Sequence, residues 1–481
     1  MTEPRYYLQV KQFLNTKKAE IRDELIALAK IPSVEGPPEP GAPFGKPCAE
    51  VLLAVGELHV KYGYPVKLNP DGGYLLTFTG DPEADHTIGL FAHADVVPPG
   101  DNWVFTSPFE PIEKDGFLIG RGVYDNKAGI IMALYAARAV EALEIPLHSR
   151  LMIFTGSNEE SGMEDIRAFA EREEMPDLSL VPDNGFPVCR GERGIFRWYA
   201  LAGTAFSDDI LSVVGGNAFN AVLGAAKIVL RYSAGLEEYL AQSVPSDGLV
   251  TYEREGDTLI LSSHGRTGHA AHPGDAVHGI FLLSDLLSKC EALSSDDRTV
   301  FSAAAALTKD CYGGGFGIAS EDADFGTLTC VNGIAALDDG KLSLSFDCRY
   351  AASMDPEVLE SKVEEKLRGI GWGYRLHENS PGFQIPEDSP IVKMLLGVYE
   401  NCTGAEGAKS YLSAGGTYAR CLKNAYSLGD SWSASPFEVP NGHGSAHKPD
   451  EMISLDTLID SAAIFTEMIL ACDDHLAKGN V

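Results

Sequence analysis

The sequence has few basic residues and no long apolar run, and each shortage excludes a class of protein. Its 481 residues include 38 lysines and arginines against 69 aspartates and glutamates, a formal net charge of −31. Binding to nucleic acid requires a basic surface, so we expect neither a nucleic-acid partner nor an anionic membrane partner. No apolar stretch is long enough to span a bilayer, and residues 1–20 lack the apolar segment of a signal peptide. We therefore expect a cytoplasmic protein.

Cysteine motifs and phosphate-binding loops are missing as well. The nine cysteines are scattered from Cys48 to Cys472, and no pair has the spacing of a zinc finger or a redox centre. We therefore expect reduced thiols. No glycine-rich run ends in Lys-Ser or Lys-Thr, which argues against a sugar- or nucleotide-binding protein with a phosphate loop.

Length and periodicity predict two domains, because 481 residues exceed one ordinary core. Before Gly191, short apolar strands alternate with helices, which is typical of a layered α/β domain. The block from 191 to 385 contains alternating strands and a helix predicted at 218–230. We predict that residues 1–190 and 386–481 form one discontinuous domain, and that 191–385 is a domain inserted into it.

Five short motifs each place a histidine or carboxylate at a predicted strand end or in a glycine-rich turn. Taken singly, each has an ordinary interpretation, such as a helix cap or a solvated loop residue. Taken together, two imidazoles and several carboxylates suit a pair of divalent ions such as zinc, manganese or cobalt, while the lack of a thiolate disfavours copper(I) and iron–sulfur clusters. The side chains are His93, with Asp95 as the residue expected to orient its ring, Asp125, Glu159 and Glu160, Asp183, and His447.

The ordered set resembles the co-catalytic metallopeptidase family that includes carboxypeptidase G, aminoacylase, succinyl-diaminopimelate desuccinylase and the PepV-type dipeptidases. The resemblance runs from Leu28-Ala-Lys-Ile-Pro-Ser-Val34 to Ala446-His-Lys-Pro-Asp-Glu451 and covers nearly the whole chain. The stretches Glu159-Glu-Ser-Gly162 and Gly415-Gly-Thr-Tyr-Ala-Arg420 are more similar to PepV than to the deacylases. The resemblance implies a phosphorylase/hydrolase-like α/β catalytic domain with an inserted α+β lid domain.

The resemblance also implies a role for each residue of the five motifs. Asp125 would bridge two divalent ions, most simply zinc. His93 and Asp183 would bind one ion, and Glu160 and His447 the other. Glu159 would be the general base, and Asp95 would hold His93.

The resemblance also implies three contributions to substrate binding and catalysis, two from the middle block and one from Gly416 and Thr417 in the C-terminal part. Gly265-Arg-Thr-Gly-His269-Ala-Ala-His272 resembles the lid motif, whose histidine stabilises the oxyanion. His269 is the matching residue, and His272 is the alternative. Arg349 resembles the residue that binds the substrate carboxylate. Gly416 and Thr417 would contact substrate, and the length of the lid favours a monomer.

These residues predict a metal-dependent dipeptidase that cleaves short peptides with a free C-terminal carboxylate. An N-acyl amino acid deacylase remains the alternative within the hydrolases. A non-catalytic binding protein on the same fold is a third hypothesis, and the presence of Glu159 beside a complete ligand set argues against it.

Overall fold

The computed structural model describes residues 5–430 and 434–479. Its internal contacts group the chain into two compact units. The first comprises Met1–Arg190, Ile385–Tyr411 and Thr417–Val481, and the second comprises Gly191–Gln384 and Leu412–Gly416. The segment Leu412–Gly416 was predicted to belong with the C-terminal part of the first domain, whereas its contacts lie with the second unit.

Helices and strands alternate along the chain in both units. The α-helices of the described residues are α1 Tyr7–Thr16, α2 Lys18–Ala29, α3 Lys46–Lys61, α4 Lys127–Ala142, α5 Glu164–Arg172, α6 Ala234–Ser243, α7 Gly279–Leu287, α8 Ser295–Leu307, α9 Pro356–Gly369, α10 Pro390–Thr403 and α11 Leu455–Ala477. Among these described helices, none combines the length and the apolar composition needed to cross a membrane.

The strands are numbered in the same way. They are β1 Val66–Asn69, β2 Tyr74–Thr79, β3 Thr87–His93, β4 Ile112–Lys114, β5 Phe117–Ile119, β6 Arg150–Gly156, β7 Leu178–Gly185, β8 Cys189–Glu192, β9 Gly194–Leu201, β10 Ile210–Gly215, β11 Ala226–Arg231, β12 Val250–Glu255, β13 Thr258–Ser263, β14 Glu321–Asp322, β15 Gly326–Thr327, β16 Thr329–Asp338, β17 Lys341–Tyr350, β18 Gly373–Ser380, β19 Phe383–Gln384, β20 Tyr411–Ser413, β21 Ala425–Asp430 and β22 Met452–Ser454.

The first unit is built on a sheet in which six strands lie in the order β1–β2–β6–β3–β7–β21. The strands β6, β3, β7 and β21 are mutually parallel. Their carboxyl ends therefore meet at one edge, where His93 at the end of β3 pairs with Gly156 at the end of β6. Apolar residues surround α4 almost completely, as expected for a helix buried in the core, and α4 begins directly after Asp125 and Asn126.

The second unit is an eight-stranded antiparallel sheet in the order β12–β13–β11–β10–β16–β17–β9–β18, with α6 to α9 contributing to its core. The helix predicted at 218–230 is wrong. Residues Ala226–Arg231 form a strand that pairs with both β10 and β13. Its side chains alternate between buried and more exposed positions, which is the period of a strand with one face on the core.

Candidate metal centre

Asp125 lies between the two histidines of the predicted set. Its Oδ1 is 3.2 Å from Nε2 of His93, and its Oδ2 is 3.0 Å from Nε2 of His447. His93 ends the parallel strand β3, while His447 comes from a loop more than 300 residues later, so the fold rather than the sequence brings them together. One carboxylate thus presents one oxygen to each imidazole.

Two further carboxylates flank this arrangement on opposite sides. Asp183 Oδ1 is 3.7 Å from His93 Nε2, and Glu160 Oε2 is 3.0 Å from His447 Nε2. The ligand atoms of His93, Asp125 and Glu160 all lie within 4.8 Å of one another, as do those of His93, Glu159 and Asp183. The structure therefore gathers all five predicted ligands, with Glu159 beside them.

The donor set fits divalent cations. Within the described residues, His93 Nε2, Glu159 Oε1 and Glu160 Oε1 are buried and have no hydrogen-bond partner. A buried polar atom without a partner is costly, and a cation would satisfy His93 and Glu160, while Glu159 Oε1 stays available to accept a proton. Oxygen and imidazole nitrogen donors are those that zinc, manganese and cobalt accept.

The electrostatics of the cluster also favour added positive charge. Burial raises the pKa of Asp183 to about 7, although His93 opposes the rise. Burial likewise raises the pKa of Glu159 well above its usual value, and Asp183 and Glu160 add to the effect. Burial alone would lower the pKa of His447, but Glu160 and Asp125 raise it to about 11. Four carboxylates thus compete for two imidazoles, and divalent ions would relieve this repulsion.

Asp95 holds the neighbouring loop rather than only His93. The ring Nδ1 of His93 is 3.0 Å from the main-chain oxygen of Asp95, whereas the Asp95 carboxylate is 3.5 Å away. The same carboxylate accepts hydrogen bonds from the main-chain N–H groups of Glu159 and Glu160, at 3.2 and 3.0 Å. Asp95 therefore fixes the loop that carries the proposed base and one proposed ligand.

Asn126 positions Asp183, and this role of Asn126 was not predicted from the sequence. The Asn126 side-chain amide donates to Asp183 Oδ1 at 2.8 Å and to the Pro182 carbonyl at 2.7 Å. The sequence offered one signal, because Asn126 directly follows the predicted ligand Asp125. The Asn126 amide N–H therefore orients the carboxylate of this proposed ligand.

Arg121 and Glu451 form a second support that sequence reasoning missed. Arg121 Nη1 donates to Glu451 Oε2 at 2.6 Å, and both side chains are almost fully buried. Glu451 Oε1 accepts the main-chain N–H groups of Tyr124 and Asp125, at 3.0 and 3.1 Å. Because Glu451 follows His447 by four residues, this contact ties the segment of one proposed ligand to the backbone of another, Asp125.

The two lid histidines lie in the second unit and are exposed. The main-chain N–H of His272 donates to the His269 carbonyl at 3.0 Å, so the two form one tight turn. The ring Nδ1 of His269 accepts a hydrogen bond from Ala271 N–H at 3.2 Å. This contact places the proton of a neutral His269 on Nε2, which makes Nε2 a donor.

Arg349 is buried and already engaged in a bidentate ion pair. Its Nε and Nη2 donate to the Asp347 carboxylate at 2.6 and 3.1 Å, and its Nη1 donates to the Ala414 carbonyl at 3.2 Å. These contacts use three of the five guanidinium donors. Asp347 also accepts from Arg197 at 2.8 Å.

Of the two residues predicted to contact substrate, Thr417 is buried and Gly416 is half-buried. The Thr417 hydroxyl accepts the Ala419 N–H at 3.2 Å and so caps the short 3₁₀ turn Tyr418–Cys421. The turn is packed through Tyr418, whose ring lies edge-on to His93 at 6.3 Å between centroids.

A layered α/β unit with carboxylates and imidazoles gathered near the carboxyl ends of parallel strands is typical of metal-dependent hydrolases. The family model described as peptidase family M20/M25/M40 matches residues 89–471, so the chain belongs to this family. The predicted family and enzyme class are therefore confirmed, and the protein is a metallopeptidase.

Relatives and solved structures agree with this assignment. The protein YtjP of Bacillus subtilis (strain 168), which carries the name of a dipeptidase, is 30% identical over 449 residues, or 89% of this chain and 92% of the relative. Human carnosine dipeptidase 1 has the same fold, with a TM-score of 0.59 at 15% identity, and the match covers 98% of this chain and 100% of that one. The di-peptidase Dug1p of Saccharomyces cerevisiae gives a TM-score of 0.58 at 13% identity, with 97% and 98% covered. The predicted fold class is confirmed.

Proposed function

We propose that this chain is a dipeptidase whose site holds two divalent metal ions, zinc first and manganese or cobalt as alternatives. One observation carries the proposal. Asp125 presents one oxygen toward His93 and the other toward His447, with Asp183 and Glu160 on the two sides. A carboxylate in this position is suited to bridging two ions, each completed by one imidazole and one further carboxylate.

The chain's own residues then divide the work of amide hydrolysis. When bound, the ions would act as Lewis acids and bring the pKa of water toward about 7. Glu159 is the proposed base, because it lies beside the cluster with its Oε2 3.9 Å from His93 Nε2 and its Oε1 without a hydrogen-bond partner within the described chain. It would accept a proton from the attacking water and pass it to the leaving amine.

Two residues of the second unit are proposed to recognise the substrate. His269 would donate its Nε2 proton to the oxyanion, since its Nδ1 already accepts the Ala271 N–H. Arg349 would bind the C-terminal carboxylate through the donors that Asp347 and Ala414 leave available. Asp347 holds the guanidinium in place for this contact. Gly416 and Thr417 are proposed to contact substrate as well.

A substrate panel combined with two neighbouring substitutions tests the proposal. The metal-loaded protein should hydrolyse free dipeptides faster than N-acetylated dipeptides or N-acyl amino acids. Glu159→Gln should keep both ions and lose roughly 10²- to 10⁴-fold in kcat, because glutamine cannot accept the proton. Glu160→Gln should instead weaken the binding of one ion, and excess metal should restore part of the activity.

The matched control is Glu171→Gln, an exposed carboxylate in the same unit, which should behave as wild type. Metal content is measured by elemental analysis, and turnover by release of free amino acid. Near-wild-type turnover of Glu159→Gln at full metal occupancy would contradict the mechanism. If N-acyl amino acids are cleaved faster than free dipeptides, the function is that of a deacylase and not of a dipeptidase.

A further inference from the structure

The loop that carries Glu159 is held by two buried carboxylates along its backbone. Asp165 Oδ2 accepts the main-chain N–H groups of Ser157 and Asn158, at 2.6 and 2.8 Å. Asp95 accepts those of the next two residues, Glu159 and Glu160, at 3.2 and 3.0 Å. The main-chain N–H groups of four consecutive residues, 157 to 160, are thus fixed. The last two of these residues are the proposed base, Glu159, and a proposed metal ligand, Glu160.

Tyr418 completes this arrangement from a distant part of the same unit. Its hydroxyl donates to Asp165 Oδ2, the oxygen that the Ser157 and Asn158 amides also contact, and both side chains are fully buried. The Tyr418 ring packs edge-on against Phe154 in β6, at 5.4 Å between centroids. The hydroxyl therefore reaches the carboxylate from a ring that is itself held in place.

Gly156 provides the space for this contact. A Cβ atom added at Gly156 would lie 2.0 Å from the Tyr418 hydroxyl oxygen and 2.3 Å from Asp165 Oδ2. No side chain can occupy that position while the hydrogen bond exists. Gly156 at the end of β6 thus leaves room for the Tyr418 hydroxyl next to the loop that carries Glu159.

We propose that Asp165 and Tyr418 are positioning residues for Glu159, which they place through the backbone amides of Ser157 and Asn158. The inference rests on the proposed role of Glu159 as the general base. Asp165 has no cationic partner among its hydrogen bonds; its contacts in the described chain are N–H and O–H donors at the start of this loop, in Tyr418 and at Ile166. Asp165 therefore serves to hold the backbone of this loop, and with it the position of Glu159. Small displacements of a reacting group lower the rate by large factors.

Tyr418→Phe tests the proposal because it removes one hydroxyl and leaves the ring. We expect kcat to fall about 10- to 100-fold, with KM within about two-fold and metal content unchanged, because the base is displaced while ligands and substrate contacts remain. Hydrogen exchange of the amides at 157–160, followed by mass spectrometry, should become at least about ten-fold faster. Asp165→Asn, which keeps an oxygen for the two amides, should change both measurements in the same direction.

Tyr135→Phe is the matched control. Tyr135 is also a buried tyrosine of the first unit, and its hydroxyl donates to the Glu24 carboxylate at 2.8 Å. Its removal should leave kcat and the exchange of residues 157–160 unchanged. Wild-type kcat and exchange in Tyr418→Phe would overturn the proposal, as would loss of activity that merely follows loss of metal. If the wild-type protein cleaves no peptide in the panel, the proposed function fails, while the exchange measurement still decides whether Tyr418 fixes the loop.

Discussion

Replacing Glu451 with glutamine should destabilise the first unit more than any surface substitution of the same type. Glu451 is fully buried, pairs with the equally buried Arg121, and accepts the main-chain N–H groups of Tyr124 and Asp125. A glutamine side chain has one oxygen, so it can serve the two amides or the guanidinium but not both. The glutamine N–H₂ must then face another donor, either the Arg121 guanidinium or the main-chain N–H groups of Tyr124 and Asp125.

The magnitude follows from the loss of the buried charge. Leaving one partner of a buried ion pair uncompensated costs about 3–5 kcal/mol. The unfolding entropy is about 2.1 cal/mol/K per residue, so the first unit, with roughly 280 residues, changes stability by about 0.6 kcal/mol per degree. Glu451→Gln should therefore lower Tm by about 5–8 °C, measured by calorimetry at pH 7 in the presence of metal.

Two further variants separate the charge from the two amides. Arg121→Met combined with Glu451→Gln removes both charges and leaves glutamine an oxygen for the amides, so it should recover most of the lost Tm. Glu164→Gln is the control, because Glu164 forms an exposed pair with Arg167 and should lower Tm by no more than about 1–2 °C. A Glu451→Gln protein whose Tm equals that of Glu164→Gln would refute the reasoning.

Two other predictions concern metal and pH. Removing metal by chelation should lower Tm. Adding zinc or manganese at about 1,000 times its Kd should then raise the free energy of unfolding by about 4 kcal/mol. A Tm that does not respond to chelation would contradict the metal centre. His278 is buried, its Nδ1 faces the Thr308 carbonyl at 2.9 Å, and its Nε2 accepts the Asn332 N–H at 3.0 Å; burial lowers its pKa from 6.5 to about 4. The unfolded chain gains this proton below pH 6.5, whereas the folded chain gains it only near pH 4. The free energy of unfolding should therefore decrease by about 3 kcal/mol as the pH falls from 6.5 to 4. In urea titrations, His278→Gln should make this decrease smaller.

The sequence predicts this set of proposed ligands because several of them follow a recognisable local signal. His93 ends an apolar strand, Asp125 precedes a helix after a glycine-rich turn, and Asp183 lies near the end of a short apolar run. In parallel strands such ends meet at one edge, so local signals imply a common site. The order of the five motifs then identified the family, which no single motif could do.

The two supporting pairs, Asp165 with Tyr418 and Arg121 with Glu451, lacked such signals. The contact of Asp165 with Tyr418 joins positions 253 residues apart, and that of Arg121 with Glu451 joins positions 330 apart. Neither pair shares a periodicity, and an acidic residue at a helix start is usually a cap. The wrong helix at 218–230 has a related cause, because alanine-rich composition favours a helix locally, whereas pairing with β10 and β13 makes residues 226–231 a strand.

The supports around the centre share one chemistry, and it explains part of the excess of acidic residues. Asp95, Asp165 and Glu451 each hold a site loop by accepting main-chain N–H groups. Asp450 does the same for Val104 and Phe105, at 3.0 and 2.9 Å, and its Oδ2 is 2.6 Å from Nδ1 of His443. Of the first three, only Glu451 has an arginine partner in the described chain. Buried carboxylates thus surround the proposed ligands, three of which are carboxylates. The field of the scaffold would attract divalent cations and would link their binding to the stability of the loops.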